Sequence, residues 1–128
     1  MADTNVLVRV VTEDDPVQCK AAQAALERAD VVAIATPVLC ELAWVLAQGY
    51  KVPAVDIGKA IRTFINSANV LVNRSAAEAG LAMLDAGGDF ADGAIAFEGR
   101  SLGGEVFVSF DRQAVKLMES QGARVRLL

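Results

Sequence analysis

The sequence predicts an α/β domain of three layers, α/β/α, with helices on both faces of a mainly parallel central sheet. Three observations carry this. Short apolar or β-branched runs alternate with longer helix-period segments along the whole chain, the pattern of repeated strand–helix units. Asp3, Glu41, Asp92 and Asp111 each fall at or just beyond a boundary between such a run and a probable helix. Right-handed crossovers bring those boundaries to one edge of a parallel sheet. Finally, no repeat, low-complexity tract or linker interrupts residues 1–128, so the expectation is one domain over the full length.

Residues 4–11, TNVLVRVV, fit either a strand, by β-branched content, or a short helix capped by Thr4 or Asn5. The β-branched reading is the stronger from composition. TEDDP at 12–16 is a turn, and Pro16 opens an alanine-rich helix to about Arg28. VVAIA at 31–35 is a short strand. Thr36-Pro37 then starts a helix carrying Val38, Leu42, Val45 and Leu46, which Gly49 stops. Val55 to about Ser67 is helical with a stripe of Ile57, Ile61, Phe64 and Ile65, and a brief strand follows at 70–72. Residues 75–86 are helical until Gly87-Gly88. A helix from Asp89 to about Gly99, the strand EVFVSF at 105–110, a helix at 112–120 and a last strand ARVRLL complete the chain.

Composition removes several chemistries. There is no histidine, which excludes histidine bases, the common nucleophilic triads and most zinc sites. Cys19 and Cys40 lack CxxC spacing and read as small core residues of a reducing, cytoplasmic setting. No apolar run is long enough for a membrane span and no signal peptide precedes Asp3, so no membrane partner is expected. The chain is 54% hydrophobic with a mean hydropathy of +0.38, rich enough to leave apolar surface for a subunit or partner contact, for which the helices at 37–48 and 55–67 are the candidates. Net charge is -4, a mild argument against nucleic acid. Setting aside the four boundary acids leaves twelve acidic and twelve basic residues, a neutral scaffold.

Each acid has an ordinary alternative. Asp3 is either the cap of a first helix or a ligand at the end of the first, central strand, with Asn5 able to hold a carboxylate in place. Glu41 sits among Pro37, Val38, Trp44, Val45 and Gln48, where an acid is rare unless paired or bound to a metal, the alternative being an exposed seam residue. Asp92 follows Asp89 by three residues, the spacing of a capping box in which Asp89 is the structural helix cap. Asp111 ends the clearest strand, either as a ligand or as the cap of the next helix, with Ser109 beside it. Together, four close carboxylates repel by about 4 kcal/mol per pair near 4 Å at an effective dielectric of about 20. A hard divalent cation relieves that repulsion, and phosphoryl-transfer chemistry follows from such a site. Arg9, Arg112 and Lys116 are possible phosphate contacts.

DTNVL at the start, TPVLCELAWVL with Glu41, GGDFADGAIA with Asp92, and VFVSFD with Ser109 and Asp111 resemble the PIN-domain ribonucleases, and among them the VapC toxins of type II toxin–antitoxin modules. The resemblance spans essentially the whole chain. It implies a PIN-like fold and a Mg²⁺-dependent endoribonuclease, with Mn²⁺ able to substitute, acting on cellular RNA such as tRNA or rRNA. Asp3, Glu41, Asp92 and Asp111 become its catalytic, metal-binding quartet, and Asn5 and Ser109 its supporting residues. It also implies a homodimer, inhibition by a small cognate antitoxin, and DNA contact only indirectly through that antitoxin. The same resemblance makes residues 5–10 helical, against the β-branched reading. Two departures stand out: only Met1 and Ala2 precede Asp3, and Gly93 replaces the more usual alanine. The competing reading is a non-catalytic PIN-like binding module whose acids are helix caps. Enzymes working through an aspartyl phosphate fit poorly, since no second aspartate follows Asp3 at the required spacing and no lysine ends a clear strand.

Overall fold

A computed structural model describes all residues, 1–128. The chain folds as seven helices and four short strands, the strands paired in parallel, so the α/β class holds. The strands form two separate parallel pairs, one in each of two compact units, Met1–Asn73 and Arg74–Leu128.

The first unit contains α1 (Thr4–Thr12), α2 (Pro16–Arg28), β1 (Val32–Ala33), α3 (Thr36–Gln48), α4 (Ala54–Ile65) and β2 (Val70–Leu71). The β-branched reading of residues 4–11 is overturned: they form α1. Thr4, Leu7 and Val8 are buried, a spacing of three and four that a strand cannot place on one side. β-Branched residues lower helix propensity by only some tenths of a kcal/mol each, whereas burying Leu7 or Val8 contributes about 1.5–3 kcal/mol. Asp3 supplies the start, its Oδ1 accepting from Thr4 N at 2.8 Å. Ahead of it, Ala2 N donates to Ala33 O at 3.1 Å, so the two leading residues lie along β1 without forming a strand.

β1 and β2 pair with Val32 opposite Val70 and Ala33 opposite Leu71. The amide of Asn69 donates to the carbonyls of Leu26 and Ala29 at 2.8 and 3.0 Å, satisfying the end of α2. Pro16 opens α2 as expected, with Asp15 as the bonded cap. At α3 the cap position belongs to Ala35, and Thr36 is already helical with no side-chain cap bond, so Thr36-Pro37 starts the helix as expected but without a capping hydroxyl. The α4 stripe of Ile57, Ile61, Phe64 and Ile65 is buried, as are Leu39, Leu42, Ala43 and Leu46 of α3, which packs on α1 and α4. The apolar faces of α3 and α4 are therefore core, and what remains outside is chiefly Trp44 and Val55.

The second unit contains α5 (Arg74–Asp85), α6 (Phe90–Ser101), β3 (Phe107–Ser109), α7 (Arg112–Ser120) and β4 (Val125–Leu127). β3 and β4 pair in parallel from Phe107 opposite Val125 to Ser109 opposite Leu127, and α7 packs on both. The closest helix contact is α5 against α6. A Cβ on Gly93 would lie 2.2 Å from the Ala79 carbonyl oxygen, and one on Gly80 2.6 Å from the Phe90 ring. This is the close backbone approach that explains Gly93 in a helix interior. No helix is long and apolar enough to cross a membrane.

Candidate functional site

Two of the four boundary acids lie in each unit: Asp3 and Glu41 in Met1–Asn73, Asp92 and Asp111 in Arg74–Leu128. Within neither unit are three or more Asp, Glu or Cys side chains gathered as a metal cluster.

Asp3 is exposed and occupies the N-cap of α1, bonded to Thr4 N. Asn5 is also exposed, and its amide makes no bond to the Asp3 carboxylate. Glu41 lies one turn into α3. The residues around it are not a buried apolar face: Pro37, Glu41, Trp44 and Gln48 are all exposed, with Val38 and Val45 half-buried. Burial therefore demands no partner for Glu41, because water already solvates it.

Asp111 is the N-cap of α7, its Oδ1 accepting from Ala114 N at 3.0 Å. Ser109 works through the backbone here. Its Oγ accepts from Asp111 N at 2.9 Å and shapes the turn that presents the carboxylate. That cap bond uses one oxygen of Asp111, leaving the other free to accept a proton donor or a cation.

Asp92 differs from both caps. It is half-buried in the first turn of α6, and although its N–H donates to the Asp89 carbonyl at 3.2 Å, its carboxylate takes part in no hydrogen bond or ion pair. Burial pushes its pKa above the ordinary aspartate range, and the neighbouring charges of Asp89 and then Asp111 push it the same way. Asp89 occupies the N-cap position of α6, but its side chain makes no cap bond, so the expected capping box of Asp89 and Asp92 is corrected. Asp89 acts instead as a further negative charge facing Asp92, a role its spacing concealed because capping-box spacing explained it so readily. No donor or cation compensates the Asp92 carboxylate for its burial, or for the two like charges beside it. The donor set is all hard oxygen, which suits Mg²⁺ or Mn²⁺ and not a softer metal, and a cation there offsets both the burial and the repulsion.

The three basic candidates separate. Arg9 is engaged within the first unit, pairing with Asp14 at 3.2 Å and bonding Gln18 and Tyr50. Arg112 and Lys116 are exposed on α7, one turn apart, next to Asp111, and pair with no acid. A cavity of about 930 Å³ in the second unit, lined in part by Ala79, Gly93, Gly99 and Val106, includes none of Asp89, Asp92 or Asp111. The acids therefore stand outside it.

A protein-family model described as PIN domain matches residues 1–119 of the chain. No curated protein and no solved structure matches it.

Proposed function

The chain belongs to the PIN-domain family, generally metal-dependent nucleases, and on that premise we propose that it is a Mg²⁺- or Mn²⁺-dependent endoribonuclease of the VapC toxin type. The observation that carries this reading is Asp92: half-buried, its carboxylate without a hydrogen-bonded partner, and raised in pKa by burial and by two neighbouring carboxylates. A buried charge left unpaired costs stability, and a protein keeps one where a cation or a reaction uses it. Asp3, Glu41, Asp92 and Asp111 are the proposed ligands, with Asn5 supporting from α1 and Ser109 from β3.

When bound, the divalent ion supplies an activated water and charge neutralisation at a phosphodiester, which suits a chain without histidine. The protein's own part is to aim oxygens. The cap bond to Ala114 N and the Ser109 turn fix the Asp111 carboxylate, and α6 holds Asp92 in its first turn. The positive end of the α6 dipole favours the ionised form of Asp92, opposing the burial that disfavours it. Arg112 and Lys116 are placed to take backbone phosphates of RNA as exposed, unpaired cations on α7. The proposal carries with it a cytoplasmic setting, one nuclease domain over residues 1–128, a homodimer, and a small cognate antitoxin. An arginine or lysine of that antitoxin set against the carboxylates is the favoured route of inhibition, through a charge-assisted bond.

Protein freed of antitoxin is expected to cut a panel of tRNAs and rRNA on addition of Mg²⁺ or Mn²⁺, and to stop with chelator. An intact panel beside a working control nuclease sinks the proposal. The second reading, a binding module whose acids are caps, draws on Asp3 and Asp111, which do cap helices. It leaves Asp92 unexplained.

A further inference from the structure

Resting on that nuclease reading, we infer that Trp44 is a stacking platform for an unpaired base of the RNA, beside Glu41. The chain has one tryptophan, and it is 66% exposed. An indole buries a large apolar area when it joins a core, so a lone tryptophan left in water calls for a reason. Trp44 is not surplus from the packed side of α3, because Leu39, Leu42, Ala43 and Leu46 fill that side. It stands on the opposite stripe, Pro37, Glu41, Trp44 and Gln48, all exposed and spaced by four, three and four residues. Glu41 and Trp44 are thus surface neighbours one turn apart, and Gln48 follows one turn beyond.

The chemistry of this stripe selects its occupant. α3 contains no lysine or arginine, so no side chain of this stripe is a cation for a phosphate. It offers an aromatic face, an amide able both to donate and to accept, and a carboxylate. An aromatic face with a polar group at its edge is how single-stranded bases are held and read. A protein partner fits less well. Trp44 is flanked along the stripe by Glu41 and Gln48, and an apolar surface closing over Trp44 also covers the Glu41 carboxylate, which costs free energy without a counter-charge. RNA that brings its phosphodiester and a divalent ion to Glu41 meets no such cost. Stacking tolerates every base but covers more area with a purine, so the platform favours purines modestly.

Because Trp44 is the only tryptophan, its emission reports this position alone. Short oligoadenylate and oligouridylate RNAs are titrated in Ca²⁺, with strand integrity checked on a gel. Oligoadenylate is expected to quench the emission of the wild-type protein more strongly than oligouridylate. Trp44→Ala, with its fold checked by circular dichroism, is expected to weaken oligoadenylate binding by roughly 5- to 100-fold, read by anisotropy of a labelled strand. Trp44→Phe should restore most of it, since a smaller aromatic face remains. Unquenched emission together with unchanged affinity in Trp44→Ala overturns the inference, as does a variant that loses self-association in sedimentation while keeping its RNA affinity. Structured-RNA cleavage assayed on the same samples separates the two claims. Cleavage without quenching removes the platform alone, whereas quenching without cleavage supports the platform and removes the nuclease.

Discussion

Two polar clusters, one in each unit, differ in whether their charges find partners inside the protein. At the corner after α1, Arg9, Asp14, Tyr50, Gln18 and Thr12 bond one another, with Tyr50 Oη donating to Asp14 at 2.8 Å and Thr12 Oγ1 at 2.9 Å. Asp14 is held below the ordinary aspartate range, first by the Tyr50 and Thr12 hydrogen bonds, and Arg9 is raised in turn by Tyr50 and Asp14. At the start of α6, Asp92 is moved the opposite way, with burial and two like charges acting on it and no donor in compensation. The first cluster is complete within the protein. The second has no such partner within the protein, and that asymmetry is why the proposed nuclease reading rests on α6 and not on the more conspicuous arginine network.

The largest effect expected from breaking this contrast is on catalysis. Asp92→Asn keeps the size of the side chain and removes its charge, so cleavage should fall by at least about 100-fold, more than is usual for residues that only orient a ligand. Asp89→Asn removes a neighbouring charge but none of the proposed ligands, and should cost about 10-fold or less. Equal losses at the two positions would show that charge in this region acts collectively and that Asp92 has no special place.

Packing beneath Asp92 comes next. Gly93→Ala drives a Cβ against the Ala79 carbonyl oxygen and should destabilise the protein by about 1–3 kcal/mol in urea unfolding. Unchanged stability would mean that α5 and α6 can separate at no cost, and the position of Asp92 would then be less rigid than argued.

The pH dependence of the metal-free protein sharpens the comparison, because the two clusters have opposite signs. Asp92 has a raised pKa, so its contribution is fully present below the ordinary aspartate range and is lost as pH rises through the raised value. Asp14 has a lowered pKa, so its contribution is present above the ordinary range and is lost as pH falls through the lowered value. Asp92→Asn should therefore gain Tm over wild type as pH climbs above the aspartate range, and the gap should close in acid. Asp14→Asn should do the reverse, and weakly, because that cluster is exposed and screened by solvent. Parallel Tm curves for Asp92→Asn and wild type across that window would contradict the burial of an unpaired charge.

The smallest effect distinguishes the cations. Arg112→Ala and Lys116→Ala should each flatten the salt dependence of RNA binding by roughly 0.7 in logarithmic slope, the share of one single-strand phosphate. Arg9→Ala should leave the slope alone, because Arg9 already has its acid.

Most elements were legible in the sequence because their signals are local. Pro16, the stripe of α4 and the glycines after α5 place helices where they occur, to within a few residues. The α1 segment was not, because its β-branched residues point to a strand while its fate is decided by tertiary burial of Leu7 and Val8 and by the Asp3 cap. The candidate site was legible as positions and not as states. Spacing identified the acids, yet nothing in the spacing of Asp89 and Asp92 distinguishes a cap that bonds from one that does not. Nor does helical periodicity say which side of α3 meets the core, so Glu41 read as an acid in apolar surroundings when its stripe is open to water. Gly93 explained itself only once Ala79 was found against it.

The most direct test of the central claim is Mn²⁺ binding by calorimetry to wild type, Asp92→Asn and Asp14→Asn, each paired with cleavage of the same structured RNA. The account predicts that Asp14→Asn binds and cuts like wild type, while Asp92→Asn loses both measurable Mn²⁺ binding and cleavage with its metal-free fold intact. Equal Mn²⁺ affinity and equal cleavage for Asp92→Asn and wild type would contradict it.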